Sequence, residues 1–516
     1  MSTRSGERSD ADIVAAKAER LARGGRPRTL DLFAGCGGIS LGFHSLDCDI
    51  VAALEIDEHA AASHARNFYR DAPPSVRELH ARPHDITKVE PEDVAAEFGL
   101  GPVEEAVDLI VGGPPCQAYA RVGRAKLREV AEHPEAFKVD PRANLYLRYL
   151  AYVRKMKPLA LLMENVPDIM NHGGHNVVEE VAETLDEMGY EARYSLLNSA
   201  FYRVPQMRDR VILLAVRKEL GVIPEFPTPL RHLELPSGYE GTRAVAYKHL
   251  GTLSRSHFVE PPADEAKPFA VTSKEAIGDL PPVTLHLEGK LKRGARRFVD
   301  VIPYDPSRPL SEYAREMRGW KGFENDVGVA DHQIRYLPRD TDIFRNMPQG
   351  AEYPEAHRVA TELFEKEARR REQKLGKRLT QTERAELHRA MVPPYPVGSF
   401  PNRWWKLRED FPSRTLLAHI GKDTYSHIHY DGAQARCISV REAARLQSFP
   451  DGFVFEGTMN PAYKQIGNAV PPLFAKAMGG ALLETLRKGC SASRRCGAWR
   501  HRGASSSPGN GCAGMP

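Results

Sequence analysis

DLIVGGPPCQAYA, residues 108–120, joins a short apolar run to an abrupt stop. Residues 109–111 predict a buried strand, which residues 112–115 end. Two consecutive prolines fix φ and remove two backbone donors, so Cys116 follows a stiff loop at the carboxyl end of the strand. Open α/β sheets bind their ligands at that edge. The stretch therefore predicts an α/β fold with a nucleophilic cysteine at its binding edge. The alternative is a small buried residue in a tight turn.

Composition narrows the class of protein without naming it. The chain has 516 residues, of which 41 % are apolar, enough for two or three domains. Mean hydropathy is -0.45, no apolar run approaches about 18 residues, and no signal sequence is seen, so we expect a cytoplasmic protein without membrane contact. Seven cysteines without a CxxC pair predict neither a disulfide framework nor a metal site. A net charge of +4 is compatible with nucleic acid but too small to indicate it.

Glycines and an acid follow the first two predicted strands. Strand 29–33 leads into a turn with Gly35 and Gly37, where missing side chains let the backbone approach a ligand beneath a helix N-terminus. Ser40 stands where the dinucleotide fingerprint GxGxxG has its third glycine, which favours a nucleoside without a pyrophosphate. Glu55 follows the next strand, as does the acid that binds ribose in such sheets, and a helix cap is the alternative.

Polar side chains recur at the ends of later strands. Asp85 lies in a loop where it can accept an amino group, although by itself it indicates a turn. Glu164 ends the predicted strand 159–163 and is placed for acid chemistry. Arg208 and Arg210 alternate at the entry of another strand, so both guanidinium groups point to one side, toward a phosphate or a carbonyl oxygen. Surface arginines are the alternative.

Composition also divides the chain into parts. Strand and helix patterns alternate in the first half, whereas the middle is rich in Pro, His and Arg and has short irregular elements. A short helix over 11–23 is predicted inside the N-terminal tail. The predicted parts are a disordered tail (1–28), a sheet domain (29–225 and 460–487), an irregular second domain (226–459) and a second disordered tail (488–516).

One segment of the second domain is regular. Residues 354–390 predict two charged helices broken near Gly376, and Thr380 and Glu383 have the spacing of a capping box. Acids and bases alternate along both helices, so we interpret them as solvated faces. Contact with a partner or a DNA backbone is the alternative.

In their order along the chain, the motifs resemble those of the DNA cytosine C5-methyltransferase family. DLFAGCGGISLGF is similar to its first motif, GGPPCQ to its nucleophile loop and ENV at 164–166 to its acid motif; QMRDR, REAARLQSFPDGF and QIGNAVPP follow. The resemblance covers most of 29–487 and is weakest over 229–408. It implies an α/β fold whose Rossmann-like sheet domain depends on S-adenosylmethionine. It also implies a smaller, irregular target-recognition domain with the ninth motif as its hinge.

The resemblance also implies the chemistry. Cys116 is the implied nucleophile that adds to C6 of cytosine, and Glu164 the implied donor to N3. Arg208 and Arg210 would hold the base O2 and a phosphate, in an order that the sequence leaves open. The side chains with implied substrate-positioning roles are Pro115, Gln117, Asn165 and Gln206.

The implied methyl donor is S-adenosylmethionine, and no metal is required. Its implied contacts are Phe33, Gly35, Gly37, Glu55, Ile56, Asp85 and Asn468. The implied substrate is a specific sequence of double-stranded DNA, whose target base must be flipped out of the stack. By resemblance we expect a monomeric modification enzyme at the prokaryotic nucleoid, with a restriction endonuclease acting independently.

Three other functions were weighed against this one. An RNA (tRNA) cytosine methyltransferase of the same fold carries the same motifs, but with a recognition region shorter than residues 229–408. A dinucleotide-dependent oxidoreductase conflicts with Ser40 and leaves PPCQ and ENV unexplained. A non-catalytic DNA-binding relative is disfavoured because Cys116, Glu164 and both arginines are present. The recognition sequence is not predicted, since a few side chains in irregular loops read the bases.

Overall fold

The computed structural model describes most of the chain. The described ranges are 8–115, 145–172, 174–248, 250, 256–290, 300–399, 401–422 and 424–495. Cys116 and Gln117, two of the predicted site residues, lie outside these ranges.

A mostly parallel sheet forms the centre of the described chain. Its strands are β1 (Arg28–Leu32), β2 (Asp49–Leu54), β3 (Leu109–Gly112), β4 (Ala160–Asn165), β5 (Tyr190–Asn198) and β6 (Asp209–Arg217). Their order is β2-β1-β3-β4-β6-β5, with β1 to β4 parallel and β6 antiparallel to both its neighbours. The chain adds β2 on one side of β1, and then adds β3 and β4 on the other side. The carboxyl ends of the parallel strands β1 and β3 therefore flank a crevice that suits a ligand. The α/β fold class is confirmed.

Helices cover both faces of this sheet. The described helices are α1 (Asp10–Ala22), α2 (Gly38–His44), α3 (Glu58–Phe68), α4 (Pro74–His80), α5 (Pro91–Glu97), α6 (Leu145–Met156), α7 (Val177–Glu187), α8 (Ser237–Tyr247), α9 (Ser273–Ile277), α10 (Glu312–Arg318), α11 (Thr341–Asn346), α12 (Tyr353–Leu375), α13 (Gln381–Met391), α14 (Val440–Leu446), α15 (Met459–Asn468) and α16 (Pro472–Arg495). Val111 packs in one apolar cluster with α2 and α16, and Ile110 in another with α6 and α7. Successive residues of β3 thus bury opposite faces of the sheet.

The short helix predicted over 11–23 is confirmed as α1, but its packing and the extension of α16 to Arg495 show that the prediction of disorder is wrong for residues 8–28 and 488–495. Ser9 caps α1, with its Oγ accepting a hydrogen bond from Asp12 N at 3.2 Å. The apolar side of α1 is buried in the same cluster as that of α16. The sequence predicts the helix α1 but not the apolar cluster in which it is buried.

Lys17 fixes α1 to the sheet. Its ammonium group donates to the carbonyl oxygens of Val107 at 2.7 Å, Met156 at 2.8 Å and Lys157 at 2.9 Å. An ammonium group has three N–H donors, one for each of these acceptors. Lys17 is therefore buried without an unsatisfied donor, next to the residue that precedes β3.

Within residues 226–459 the described elements are short, apart from the α12–α13 hairpin, and the ribbon β7 (Ile302–Pro303) and β8 (Gly328–Val329) is two-stranded. The hairpin confirms the predicted break: Gly376 ends α12 with φ +66°. Thr380 and Glu383 form the predicted capping box of α13.

Helix α14 covers the first residues of the motif REAARLQSFPDGF (441–453), which belongs to the predicted hinge. It buries its charged side chains. Arg445 contacts Asp451 through Nε at 2.5 Å and Asp279 through Nη1 at 3.1 Å, with no exposed surface on the arginine side chain. Glu442 pairs with Arg436 at 2.6 Å, and both are 1 % exposed. The predicted hinge is thus a buried, ion-paired joint in this structure.

Candidate active site

The carboxyl ends of β1 and β2 meet around Glu55. Glu55 Oε2 accepts a hydrogen bond from Gly35 N and its Oε1 accepts one from Asp57 N, both at 2.8 Å. Burial raises the pKa of Glu55 above its ordinary value, against the effect of these N–H donors. The N-cap of α3 is Asp57, whose Oδ1 accepts from His59 N and Ala60 N. Glu55 is therefore free of the capping role that was its alternative.

The glycine turn leaves room for a ligand at one of its two predicted positions. Gly35 has φ +56°, and a Cβ there would meet nothing within 4 Å. Gly37 has φ +104°, and a Cβ there would lie 2.4 Å from Phe68 Cε2. Phe33, although not a glycine, also has positive φ, 61°. Gly35 thus opens the space, whereas Gly37 is needed for packing.

Two further residues that were predicted to contact the methyl donor, Ile56 and Asp85, lie beside Glu55. Ile56 is 66 % exposed, which is unusual for a large apolar side chain and suits stacking on a flat ring. His84 N donates to Glu55 O at 2.7 Å and so holds the Asp85 loop against the end of β2. Burial opposes the charge of Asp85, but hydrogen bonds from Thr87 and Lys88 hold its pKa below the ordinary value. Asp85 stays an anionic acceptor.

The chain returns to this turn some 430 residues later. Asn468 is the last residue of α15 and is exposed. A Cβ on Gly38 would lie 2.2 Å from Val470 O, and one on Gly467 would lie 2.4 Å from Leu417 C. The approach of Val470 to Gly38 places Asn468 near the start of α2. This is the side of the sheet edge on which the methyl donor is predicted to bind.

The second group of predicted residues lies at the carboxyl end of β4. Glu164 Oε1 accepts from Arg210 Nε at 2.7 Å, and the two side chains are 12 % and 11 % exposed. Asn165 Nδ2 donates to Pro114 O at 2.7 Å, which ties the proline loop to the end of β4. Pro115 is exposed at the loop, and Cys116 is the next residue in sequence. Glu164, Arg210 and Asn165 are thus gathered where the proline loop before Cys116 begins.

Arg208 and Gln206 contact other segments of the protein than Arg210, which pairs with Glu164. Arg208 is 3 % exposed and donates to Leu416 O at 2.8 Å and Gly467 O at 3.1 Å. Gln206 is fully buried, and its Oε1 accepts from Leu416 N at 2.8 Å. The guanidinium groups of Arg208 and Arg210 therefore contact different parts of this structure, although both were expected to point to one side.

Gly113→Ala is expected to lower kcat at least tenfold with little change in stability. A Cβ at Gly113 would lie 2.9 Å from Glu164 Oε2, so the carboxylate must move while the backbone stays. The check is kcat beside the urea midpoint. Gly99→Ala, at an open surface position with φ +64°, is the control for substitution as such, since it should lower stability and not kcat. A normal kcat in Gly113→Ala would show that the Glu164 position is not critical.

The sequence model of the C-5 cytosine-specific DNA methylase family matches residues 27–484. The chain belongs to this family. A candidate type II methyltransferase of Oceanobacillus iheyensis, M.OihORF3336P, is 37 % identical to the methylase, with 90 % of this chain and 97 % of that protein covered. Type II methyltransferase M.AgeI of Thalassovita gelatinovora is 29 % identical, with 87 % and 98 % covered. The family rules out the oxidoreductase alternative.

A solved structure shares the fold of the methylase. It is a candidate DNA modification methyltransferase encoded within an E. coli prophage, with a TM-score of 0.55 and 20 % identity over 89 % of this chain and 99 % of that chain. Within the described ranges of the methylase, no helix is long and apolar enough to cross a membrane. The same ranges hold no cluster of three or more His, Cys, Asp or Glu arranged for a metal ion.

The methylase also buries a polar chain that sequence reasoning missed. Ser40 Oγ donates to Asp31 Oδ2 at 2.6 Å and lies 2.9 Å from His64 Nε2, beneath the glycine turn. Ser40 entered the sequence argument only as a departure from a glycine pattern. The acid at position 31 inside an apolar strand was the available signal.

The stability of Asp31→Asn relative to that of the wild type is expected to increase as pH rises. Burial raises the pKa of Asp31 from 3.8 to about 7, so between these values the folded state holds a proton that the unfolded state lacks. Wild-type stability therefore falls as pH rises across that window, and the amide removes this fall. Urea melts of both proteins at pH 5 and pH 8 measure the difference. An equal difference at the two pH values would contradict the pKa shift.

Proposed function

We propose that this DNA methylase transfers a methyl group from S-adenosylmethionine to C5 of a cytosine in a specific double-stranded sequence, through a covalent bond between Cys116 and C6 of a flipped base. The observation that carries the proposal is the Glu164–Arg210 pair beside the Pro114–Pro115 loop, at the same sheet edge as the Glu55 turn. A nucleophile, an acid and a donor pocket at one edge suit group transfer to a base.

The nucleophile is needed because C5 of cytosine is part of an aromatic ring and reacts poorly. Addition of the Cys116 thiolate to C6 breaks the ring's aromaticity and makes C5 an enamine carbon. Glu164 donates a hydrogen bond to N3, which stabilises the charge that develops on attack. C5 then takes the methyl group, and loss of the C5 proton to water with expulsion of the Cys116 thiolate restores the ring.

Arg210 is the arginine that we assign to the base. Its Nε contacts Glu164, so its guanidinium group lies next to the carboxyl group that meets N3, within reach of the neighbouring O2. The guanidinium group of Arg208 is taken up by two carbonyl oxygens. Arg208 is therefore a positioning residue between β6 and the segments around Leu416 and Gly467, and Gln206 has a similar role.

The residues of the donor side fit S-adenosylmethionine. Gly35 leaves open space beside the Glu55 carboxylate, where a ribose can be held, and Ile56 exposes an apolar side chain next to it for the purine. Asp85 is an acceptor for the adenine amino group, and Asn468 lies across the turn. S-adenosylmethionine supplies an electrophilic methyl group there. Phe33 and Gly37 shape the turn.

Glu55→Ala is expected to weaken S-adenosylmethionine binding by about 1–3 kcal/mol, the cost of two unmade charged hydrogen bonds. Calorimetry with the purified protein measures the dissociation constant. Glu58→Ala, which removes an exposed carboxylate from the same turn, serves as the control and should bind as wild type. Equal affinity in the two variants would remove Glu55 from the ribose site.

Bisulfite or nanopore sequencing of DNA from cells that express the protein tests the whole proposal. We expect one sequence context to carry 5-methylcytosine, absent from cells without the gene. Methylation of tRNA with unmodified DNA would instead support the RNA alternative. The type II methyltransferase names of two relatives support a role in restriction modification. Protection of the same context against a cognate endonuclease tests that role, and light scattering tests the expected monomer.

A further inference from the structure

Charge is unevenly distributed along the α12–α13 hairpin. Residues 366–378, at its tip, contain seven Lys or Arg against two Asp or Glu, a formal charge of +5, whereas the whole chain has +4. Nearly all of the tip is solvent-exposed. The chain outside the tip thus has almost no net charge. The alternation seen in the sequence holds for the base of the hairpin and fails at its tip.

Both acids of the tip are already engaged inside the hairpin. Glu367 pairs with Arg370 at 2.6 Å and Arg371 at 2.9 Å. Glu372 Oε1 accepts from Leu379 N at 3.0 Å, which closes the turn between the helices. Five basic side chains are then left without an ion pair to any described carboxylate: Lys366, Arg369, Lys374, Lys377 and Arg378.

The two helices are joined directly below the tip. Arg384 of α13 contacts Glu365 of α12 at 2.5 Å and lies over the Phe364 ring at 4.9 Å. Phe364 is 4 % exposed in the apolar cluster that carries the base of the hairpin. A rigid basic surface loses little conformational entropy when it binds, so its charges are available at low cost.

The base of the hairpin lies next to the segment that contacts the catalytic strand. Glu352, just before α12, pairs with Arg414, and the adjacent Ser413 forms a bridge with Gln206. A helix of the length of α12 spans about 34 Å at 1.5 Å per residue, close to one turn of duplex DNA. The tip thus begins about 20 Å from the base of the hairpin, and the far end of α12 lies about one duplex turn away.

We propose that residues 366–378 bind the phosphate backbone of the duplex that flanks the recognition sequence. The surface offers several ammonium and guanidinium groups without an ion pair at the end of a long hairpin, and phosphate is the anion that the DNA substrate of this family presents. Contacts of this kind carry no sequence information, but they raise affinity and make it dependent on salt. The solvated-face interpretation then applies only to the base of the hairpin.

The test compares two variants on two duplexes. The tip variant combines Lys374→Glu, Lys377→Glu and Arg378→Glu. The control combines Lys155→Glu, Lys218→Glu and Lys488→Glu, an equal change of charge at the opposite edge of the sheet. The duplexes share the sequence found by bisulfite sequencing and are about 14 and 40 base pairs long, so they extend roughly 24 and 68 Å from their centre. Fluorescence anisotropy across a salt series measures Kd.

We expect the tip variant to bind the long duplex at least about tenfold more weakly near 0.1 M salt, with a salt slope smaller by about 2–3. On the short duplex its Kd and kcat should match the wild type, and the control should match on both. Unchanged binding of the long duplex would overturn the proposal. Equal weakening on both duplexes would overturn it too, since the tip would then act at the recognition sequence. Loss of kcat on the short duplex in the wild type itself would instead count against the catalytic assignment.

Discussion

Cys116→Ser is expected to abolish methyl transfer while binding to the recognition sequence survives. A serine hydroxyl is almost wholly protonated near neutral pH and adds to C6 far more slowly than a thiolate. We expect a loss of at least about 10³-fold in kcat, as for removal of other covalent nucleophiles. Transfer of a labelled methyl group, with Kd measured beside it, is the check. A variant with a tenth of the wild-type rate would show that the covalent mechanism is wrong.

A duplex with 5-fluorocytosine at the target position tests the same mechanism through the covalent product that it should trap. Fluorine cannot leave C5 as the proton does, so the wild type should stay bonded to the DNA and be visible by mass. Cys116→Ser should give no such species. Cys512→Ser, which changes a cysteine outside every motif, should trap as the wild type does.

Arg445→Met is expected to lower the free energy of unfolding by about 3–5 kcal/mol, because it leaves Asp451 buried without its cation and leaves Asp279 with Arg318 alone. Urea denaturation of the free protein measures the change. Arg358→Met removes an exposed arginine that also has two acidic partners, and it should have no measurable effect.

A further variant separates the lost cation from the lost contact area. Replacing Arg445 and Asp451 together by apolar residues should recover most of the stability, since Asp279 keeps its pair with Arg318 and no uncompensated charge then remains in the joint. If Arg445→Met were as stable as wild type, the joint would not depend on its ions. In that case α14 would be held by apolar packing alone.

The sequence predicts the sheet edge at which most of the candidate side chains lie. Glu55 and Glu164 each follow a short apolar run, and side chains at the carboxyl ends of neighbouring strands come together in any sheet of this type. The break at Gly376 and the capping box at Thr380 were equally accessible, because both depend on neighbours within four residues. Local rules were sufficient wherever the partners are local.

Partners distant in sequence were out of reach. Arg445 was part of a motif, but its partner Asp279 is 166 residues away. The burial of Lys17 in a predicted tail could not be read from local sequence, because its acceptors are 90 and 139 residues distant. The different tasks of Arg208 and Arg210 follow from the carbonyl oxygens of Leu416 and Gly467, whose positions no spacing of the QMRDR motif specifies.

The close packing of α2 on α16 has a consequence for synthesis on the ribosome. A Cβ on Gly42 would lie 2.6 Å from Ala475 Cβ, so the apolar side of α2 is covered by a helix made about 430 residues later. At about 5–20 residues per second, Leu41 and Phe43 wait roughly 20–90 s for their partner. The nascent chain therefore exposes the apolar side of α2, which can aggregate, for most of its translation. We expect soluble yield to depend on chaperone supply and to rise when expression is slowed by cooling.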